Sequence, residues 1–232
     1  MIPMAQVFDC FAEWPEKYDK WFETPIGKLV REYERRLLLE MANPGPGEKI
    51  LDVGCGTGIF TADLLAAGSR VTGLELSLPM LLRAGKRAAG RPFHMVQGDM
   101  RRLPFADGFF DKTVSVTAIE FLDEDVQEAV AGMFRVTRPG GLIVVASLNS
   151  LSPWAARRTA AAKQGHSLFT HARFRSPAEM RDLVPHPAAI RTAVHFQKDD
   201  DPAVARRMEM DGDARGLDTG AFLTARWEKP AA

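Results

Sequence analysis

The chain has 232 residues, long enough to bury a full hydrophobic core as one domain. Its 30 basic and 30 acidic residues cancel, which disfavours a nucleic acid as the main partner because proteins that bind one usually carry a basic excess. The two cysteines, Cys10 and Cys55, form neither a disulfide framework nor a metal-binding spacing, which excludes a disulfide-rich secreted protein and favours a cytoplasmic one with no metal site.

The first predicted element is a helix that begins after Thr24-Pro25, a capping threonine followed by proline at the first helical position. Its apolar residues recur at helical spacing until the sequence NPGPG, at residues 43–47, ends it. No apolar run in this or any later element is long enough to cross a bilayer, so we expect no integral membrane association.

Short apolar strands alternate with helices from residue 49 to residue 148. The predicted strands are 49–53, 70–76, 93–97, 112–117 and 142–148. The predicted helices are 59–67, 123–137 and one that Ser77 caps. Such alternation with short connections predicts a parallel sheet with helices on both faces, which is a doubly wound α/β fold.

The C-terminal third is less regular. The sequence SPAE at residues 176–179 has the residues of a full capping box, which predicts the start of a helix. Two late strands are predicted at residues 188–197 and 221–228. The charged stretch between them, residues 198–220, is predicted to be a solvated loop.

A glycine-rich loop joins the first strand to the helix that follows it. Gly54, Gly56 and Gly58 permit a tight turn and let a ligand contact the main chain without an intervening Cβ. Their spacing is G-x-G-x-G rather than the dinucleotide fingerprint G-x-G-x-x-G, and no Walker lysine follows. Asp52, just before the loop, would repel a pyrophosphate and attract an ammonium group. The loop therefore predicts a ligand with a cationic amino-acid end at the carboxyl edge of the sheet.

Two acidic residues follow the next strands along the same edge. Glu75 closes the second predicted strand, where a carboxylate can accept both hydroxyls of a ribose. Asp99 follows the third strand and is placed to accept from the amino group of an adenine. An amino-acid end, a ribose and an adenine together describe S-adenosylmethionine, which we predict to be the cofactor.

With these residues, the chain resembles the class I S-adenosylmethionine-dependent methyltransferases. The nearest branch is the type 11 group, which includes the ubiquinone/menaquinone-biosynthesis methyltransferases. Four stretches carry the resemblance in family order: LDVGCGTG, VTGLELSLPML, QGDMRRLPFADGFFD and RVTRPGGLIVV. The resemblance implies a Rossmann-like sheet of seven strands, mostly parallel with the last strand antiparallel, and methyl transfer to a small-molecule or lipid acceptor.

The resemblance also implies roles for individual residues. Met80 would pack against the adenine, and the backbone of Met100 would bind the ring. Tyr18 lies in a segment that often folds over the cofactor in this group, with Trp21 near the ligand. The complete predicted cofactor-binding set is Tyr18, Asp52, Gly54, Cys55, Gly56, Gly58, Glu75, Leu76, Met80, Asp99, Met100 and Thr117.

We expect a single domain over residues 1–232, acting as a monomer or a homodimer. Residues 1–42 would form a helical segment that acts as a lid, and residues 47–148 would form the cofactor-binding core. Residues 149–232 would supply a substrate-side insertion and the closing strands. The acceptor site is expected to come from the lid and the insertion, because cofactor motifs account for the first five strands.

No catalytic residue is predicted. Positioning alone supplies much of the catalysis when a methyl group leaves a sulfonium, and a general base is needed only where the acceptor must lose a proton. The sequence TAIEF, after the fourth strand, differs from the Asn-Pro-Pro-Tyr-like motif of amino-methylating nucleic-acid enzymes. Glu120, in this stretch, leaves the sheet at the same edge and is a candidate to face the acceptor, although such a residue more often forms a salt bridge or faces solvent.

Two other functions stay open. One is a regulatory protein that binds S-adenosylmethionine without transferring its methyl group. The other is a nicotinamide-dependent oxidoreductase, which the glycine spacing and Asp52 disfavour.

Overall fold

The structure is a computed structural model, and it describes residues 19–163 and 168–231. The strands are β1 (Lys49–Val53), β2 (Arg70–Glu75), β3 (Phe93–Gln97), β4 (Phe110–Val116), β5 (Thr137–Leu148), β6 (Ala189–Ala193) and β7 (Phe222–Glu228). They form one sheet in the order β3-β2-β1-β4-β5-β7-β6. The pairs among β1 to β5 are parallel, whereas β7 runs antiparallel to both β5 and β6. The predicted seven-stranded sheet with an antiparallel last strand is confirmed.

Seven α-helices flank this sheet within the described residues. They are α1 (Pro25–Ala42), α2 (Ile59–Ala66), α3 (Leu78–Arg87), α4 (Val126–Val136), α5 (Pro153–Lys163), α6 (Pro177–Arg181) and α7 (Pro202–Ala214). Two short 3₁₀ turns, Ile119–Phe121 and Leu168–His171, precede α4 and α6 respectively. No helix in this part of the chain combines the length and the apolar character needed to span a membrane.

The sheet separates two hydrophobic cores because successive strand residues point to opposite faces. Ile50 of β1 packs in the core that contains residues of α1, α2 and α7. Its neighbours Leu51 and Val53 pack in the other core, which contains residues of α4 and α6. A central strand buried on both sides reads as a nearly continuous apolar run, which in β1 only Asp52 interrupts after Lys49.

Local signals in the sequence fix several helix starts. The Thr24 hydroxyl accepts the amide of Gly27 at 3.1 Å, with Pro25 at the first helical position of α1. Ser176 and Glu179 form the predicted capping box at the start of α6. The predicted strands 49–53 and 93–97 coincide with β1 and β3.

The prediction of a solvated loop over residues 198–220 is wrong, because α7 lies within it. Asp201 accepts the amide of Ala203 at 2.9 Å and that of Val204 at 3.3 Å, which caps the helix, and proline follows it directly. The buried side of α7 is formed by Ala205, Glu209 and Gly212. No large apolar residue lies on this buried side, and its small residues let α7 pack close to its neighbours. Gly212 illustrates this, since an added Cβ would lie 2.3 Å from the ring of His195.

Candidate functional site

A cavity of about 530 Å³ opens at the carboxyl edge of the parallel strands. It lies where strand order reverses, between β1 and β4, which is the usual ligand position in such sheets. The segments that follow β1, β2, β3 and β4 all contribute to its wall. Its volume lies within the range of sites that hold small molecules.

The three glycines after β1 adopt positive φ angles of 74°, 55° and 77°, for different structural reasons. A Cβ on Gly54 would lie 2.5 Å from the Cβ of Ala118, and one on Gly58 would lie 2.9 Å from Ala84. These two glycines allow the loop to pack against its neighbours. A Cβ on Gly56 would meet nothing within 4 Å, and this residue lines the cavity. Gly56 is therefore the glycine that leaves bare main chain for a ligand.

Glu75 is held at the cavity wall by two main-chain amides. Its Oε2 accepts the amide of Gly56 at 3.0 Å, and its Oε1 accepts the amide of Ser77 at 2.8 Å. Burial raises the pKa of Glu75, and the two amides oppose this shift by stabilising the charged form. Each carboxylate oxygen retains a second lone pair, so the fixed carboxylate can accept hydroxyl donors from a ligand in the cavity.

Asp99 also lines the cavity but is already paired. Arg101 Nε lies 3.0 Å from Oδ1 and 2.9 Å from Oδ2 of Asp99, and its Nη1 donates to Asp125 at 3.0 Å. The hydrogen bonds from Arg101 lower the pKa of Asp99. The carboxylate is thus ionised and held in one orientation, with fewer free acceptor positions than the sequence suggested.

Asp52 lies away from the cavity wall, although the sequence predicted that it would face the ligand. It is buried, and its Oδ2 accepts the hydroxyl of Thr61 on α2 at 2.6 Å. The alternation of β1 explains this, because Asp52 shares a face with Ile50, on the side of α2. Burial raises the pKa of Asp52 to about 7.

The other predicted residues divide in the same way. Gly58 is not part of the cavity wall and serves packing against α3, while Tyr18 lies outside the described residues. Thr117, directly after β4, has a φ of 48°, which is rare for a residue that is not glycine. Residues with such strained backbone angles cluster at functional sites. The predicted residues that line the cavity are Gly54, Cys55, Gly56, Glu75, Leu76, Met80, Asp99, Met100 and Thr117.

The segment just before α1 is anchored to the glycine loop. Asp19 accepts the hydroxyl of Thr57 at 3.1 Å and the guanidinium of Arg87 at 2.8 Å. The rings of Trp21 and Trp154 meet edge to face at 6.2 Å, and both residues line the cavity. This segment therefore contacts the loop at one end of the cavity and α5 at the other.

Two buried acids also line the cavity, of which the sequence analysis considered Glu120 and did not single out Glu34. Glu34 of α1 lines it and is only 6% exposed. Glu120, in the turn after β4, also lines it and is 1% exposed. The signal for Glu34 was present, since an acid occupies a position on the buried stripe of α1 between Val30 and Leu38.

Comparison with known proteins finds relatives that match the part of the chain containing the glycine loop, Glu75 and Asp99. Residues 51–145 match a family model described as a methyltransferase domain. A demethylmenaquinone methyltransferase of Beutenbergia cavernae is 44% identical over 124 residues, which is 52% of this chain and 49% of that one. A malonyl-[acyl-carrier protein] O-methyltransferase of Serratia marcescens is 34% identical over 166 residues, covering 62% and 64% of the two chains. The chain thus spans about half to two thirds of the length of these curated relatives.

Solved structures support the fold over a larger part of the chain. An S-adenosylmethionine-dependent methyltransferase from Thermotoga maritima, described as a possible histamine N-methyltransferase, aligns with a TM-score of 0.70 at 22% identity. That alignment covers 96% of this chain and 99% of the other. At this identity the likeness concerns the fold alone.

Proposed function

We propose that this chain is a class I S-adenosylmethionine-dependent methyltransferase and that it methylates a small-molecule or lipid acceptor. The match of residues 51–145 to the methyltransferase domain and the similarity to the two curated relatives support the proposal. One observation carries the proposal. The switch-point cavity joins bare main chain at Gly56 to a fixed carboxylate at Glu75. A ligand with an amino-acid end and a ribose requires both features in this arrangement.

The residues present fit S-adenosylmethionine. Glu75 would accept the ribose hydroxyls, because its two amide partners fix the carboxylate while leaving lone pairs free. Asp99 would accept from the adenine amino group, and Met80 would pack against the ring. The bound cofactor would supply a methyl group on a sulfonium, an electrophile that needs no further activation. The protein's own contribution is to orient the two reactants and to exclude water.

We further propose a division of the chain into parts. Residues 47–148 would bind the cofactor, and the segment that begins before α1 would close over it, supported by the contacts of Asp19 with Thr57 and Arg87. The residues after β5 would complete the acceptor side, supported by the position of Trp154 and Phe169 in the cavity wall. The balanced charge favours a small-molecule acceptor over a nucleic acid. The two cysteines form no disulfide framework, which favours a location in the reducing cytoplasm.

Titration calorimetry separates the main alternatives. S-adenosylmethionine and S-adenosylhomocysteine are expected to bind with one site per chain, while NAD is expected not to bind. Binding of NAD in preference to both would contradict the proposal. Release of S-adenosylhomocysteine during incubation with an acceptor panel then distinguishes an enzyme from a regulatory protein that only binds the cofactor.

A further inference from the structure

Two buried carboxylates, Glu34 and Glu120, line the cavity and are not among the predicted cofactor-binding residues. Glu120 Oε1 accepts the amide of Leu148 at 2.6 Å, while its buried Oε2 makes no hydrogen bond of good geometry to any described residue, although the nearby Ser147 hydroxyl lowers the pKa of this carboxyl. Glu34 enters the same cavity from α1. A buried acceptor atom without a donor costs free energy, so a ligand that brings a donor to this place gains affinity.

The two acids lie close enough to influence one another. Burial is the largest cause that raises the pKa of Glu34 to about 7, and the charge of Glu120 adds to the rise. Arg31 and Arg158 oppose the rise. Burial also raises the pKa of Glu120. Arg175 opposes the rise at Glu120, so nearby cations reduce the effect of burial on both acids without cancelling it.

The basic residues of the cavity wall are more exposed than Glu34 and Glu120. The basic residues of the wall are Arg157, Arg158 and Lys198, of which Arg157 and Lys198 are exposed and Arg158 is half-buried. Arg157 pairs with Asp199. The guanidinium of Arg158 lies 5.1 Å from the ring centroid of Trp154 and 5.2 Å from that of Phe169. Two of these three cations are therefore exposed, whereas Nη1 of Arg158 is buried, as are the two acids.

We infer that the acceptor presents a hydrogen-bond-donating head group, an amine or a hydroxyl on an apolar body, to Glu34 and Glu120. This inference rests on the proposed function, since it assigns the part of the cavity beside the cofactor to the acceptor. An N–H or O–H would satisfy Glu120 Oε2, and an ammonium would also gain from the aromatic walls. A carboxylate head group would instead bring a third acid beside two buried ones, which adds to the cost of ionising any of them and forces uptake of a proton or loss of affinity.

Three probes with one ring and different head groups test the inference: benzylamine, benzyl alcohol and benzoate. Each is titrated into protein saturated with S-adenosylhomocysteine, and the intrinsic fluorescence of the protein reports binding, because Trp21 and Trp154 lie in the cavity wall. We expect benzylamine or benzyl alcohol to bind at least about tenfold more tightly than benzoate. The two arms distinguish an amine from a hydroxyl as the preferred head group.

Glu34→Gln and Glu120→Gln keep the shape of each side chain. Each is expected to reduce the preference for benzylamine or benzyl alcohol over benzoate about tenfold. Glu32→Gln is the matched control, because this residue lies on the same helix with an exposed side chain. Benzoate binding as tightly as the other two, an unchanged preference in both variants, or binding of no probe at millimolar concentration would each overturn the inference. Failure of S-adenosylhomocysteine to bind in the first step would instead contradict the proposed function, and the probes can then be titrated into the unliganded protein.

Discussion

Glu75 and Gly56 hold one another in place across the carboxyl edge of the sheet, since the amide of Gly56 donates to Glu75 Oε2 at 3.0 Å. The acid at the end of β2 therefore does two things. It offers a carboxylate to a ligand, and it fixes the turn whose bare main chain the ligand would contact. Affinity and loop geometry depend on the same side chain.

The first prediction is that Glu75→Ala weakens S-adenosylmethionine binding at least about tenfold, because charge-assisted hydrogen bonds of about 1.5–3 kcal/mol each are lost. Titration calorimetry measures the dissociation constant, and circular dichroism checks the fold. Glu75→Gln is expected to be impaired as well. Its amide oxygen can replace only one of the two carboxylate oxygens that accept the amides of Gly56 and Ser77, and its amide nitrogen cannot accept the other. An unchanged dissociation constant in folded Glu75→Ala protein would remove this residue from the site.

The second prediction contrasts two glycines of one loop. Gly56→Val is expected to abolish cofactor binding, because the branched side chain would fill the open space above a residue with a φ of 55°. Gly58→Ala is expected to act mainly on stability, since its Cβ would lie 2.9 Å from Ala84. Thermal unfolding and calorimetry of both variants separate the effects. Normal binding by Gly56→Val would mean that the loop is purely structural.

The third prediction concerns pH and Asp52, whose pKa is raised from 3.8 to about 7 by burial. Between these values the folded state binds more protons than the unfolded state, so this residue makes the free energy of unfolding fall as pH rises through the window. Asp52→Asn removes that dependence and can still accept the Thr61 hydroxyl. Between pH 4 and pH 8, we expect the free energy of unfolding of the variant to rise by roughly 2–4 kcal/mol relative to that of the wild type. Urea unfolding at both pH values measures this, and parallel pH profiles of the two proteins would contradict it.

The fourth prediction concerns the contact between the segment before α1 and the glycine loop. Asp19→Ala removes the hydrogen bonds to Thr57 and Arg87, so amide hydrogen exchange in residues 19–24 should become faster. Cofactor affinity should fall as well, because the segment would close the cavity less often. In the wild type, the cofactor should slow exchange in the same residues. Equal exchange in both proteins, with and without the cofactor, would reduce the segment to a packing role.

The order of the core elements could be predicted from the sequence because it depends on local signals. Capping residues, glycines and apolar runs mark β1, β3 and the turn between β1 and α2, and the structure has these elements where they were predicted. Helix α7 was missed because its buried side consists of small residues and one acid, so hydrophobic periodicity was absent. The sequence Asp201-Pro202 nevertheless repeats the signal of Thr24-Pro25, and giving it equal weight would have found the helix.

The site was predictable where strand ends meet and less so where side-chain direction matters. Glu75 and Asp99 follow parallel strands, so their common edge follows from topology alone. The direction of Asp52 could have been obtained from strand alternation, which places it with Ile50. The burial of Glu34 could be read from the apolar stripe of α1, but its place in the cavity could not, because only tertiary packing brings α1 to the site.

The position of β7 has a consequence for biosynthesis. The last strand lies inside the sheet, hydrogen-bonded to β5 on one side and to β6 on the other. While the ribosome is still synthesising residues 222–228, β6 has no partner and β5 has an open edge. Domains fold largely as units once their sequence has emerged, so this chain should remain sensitive to proteases until residues 222–228 have left the ribosome. A stop codon that removes only the final strand would then be as damaging as a much larger deletion, because it separates β6 from the rest of the sheet.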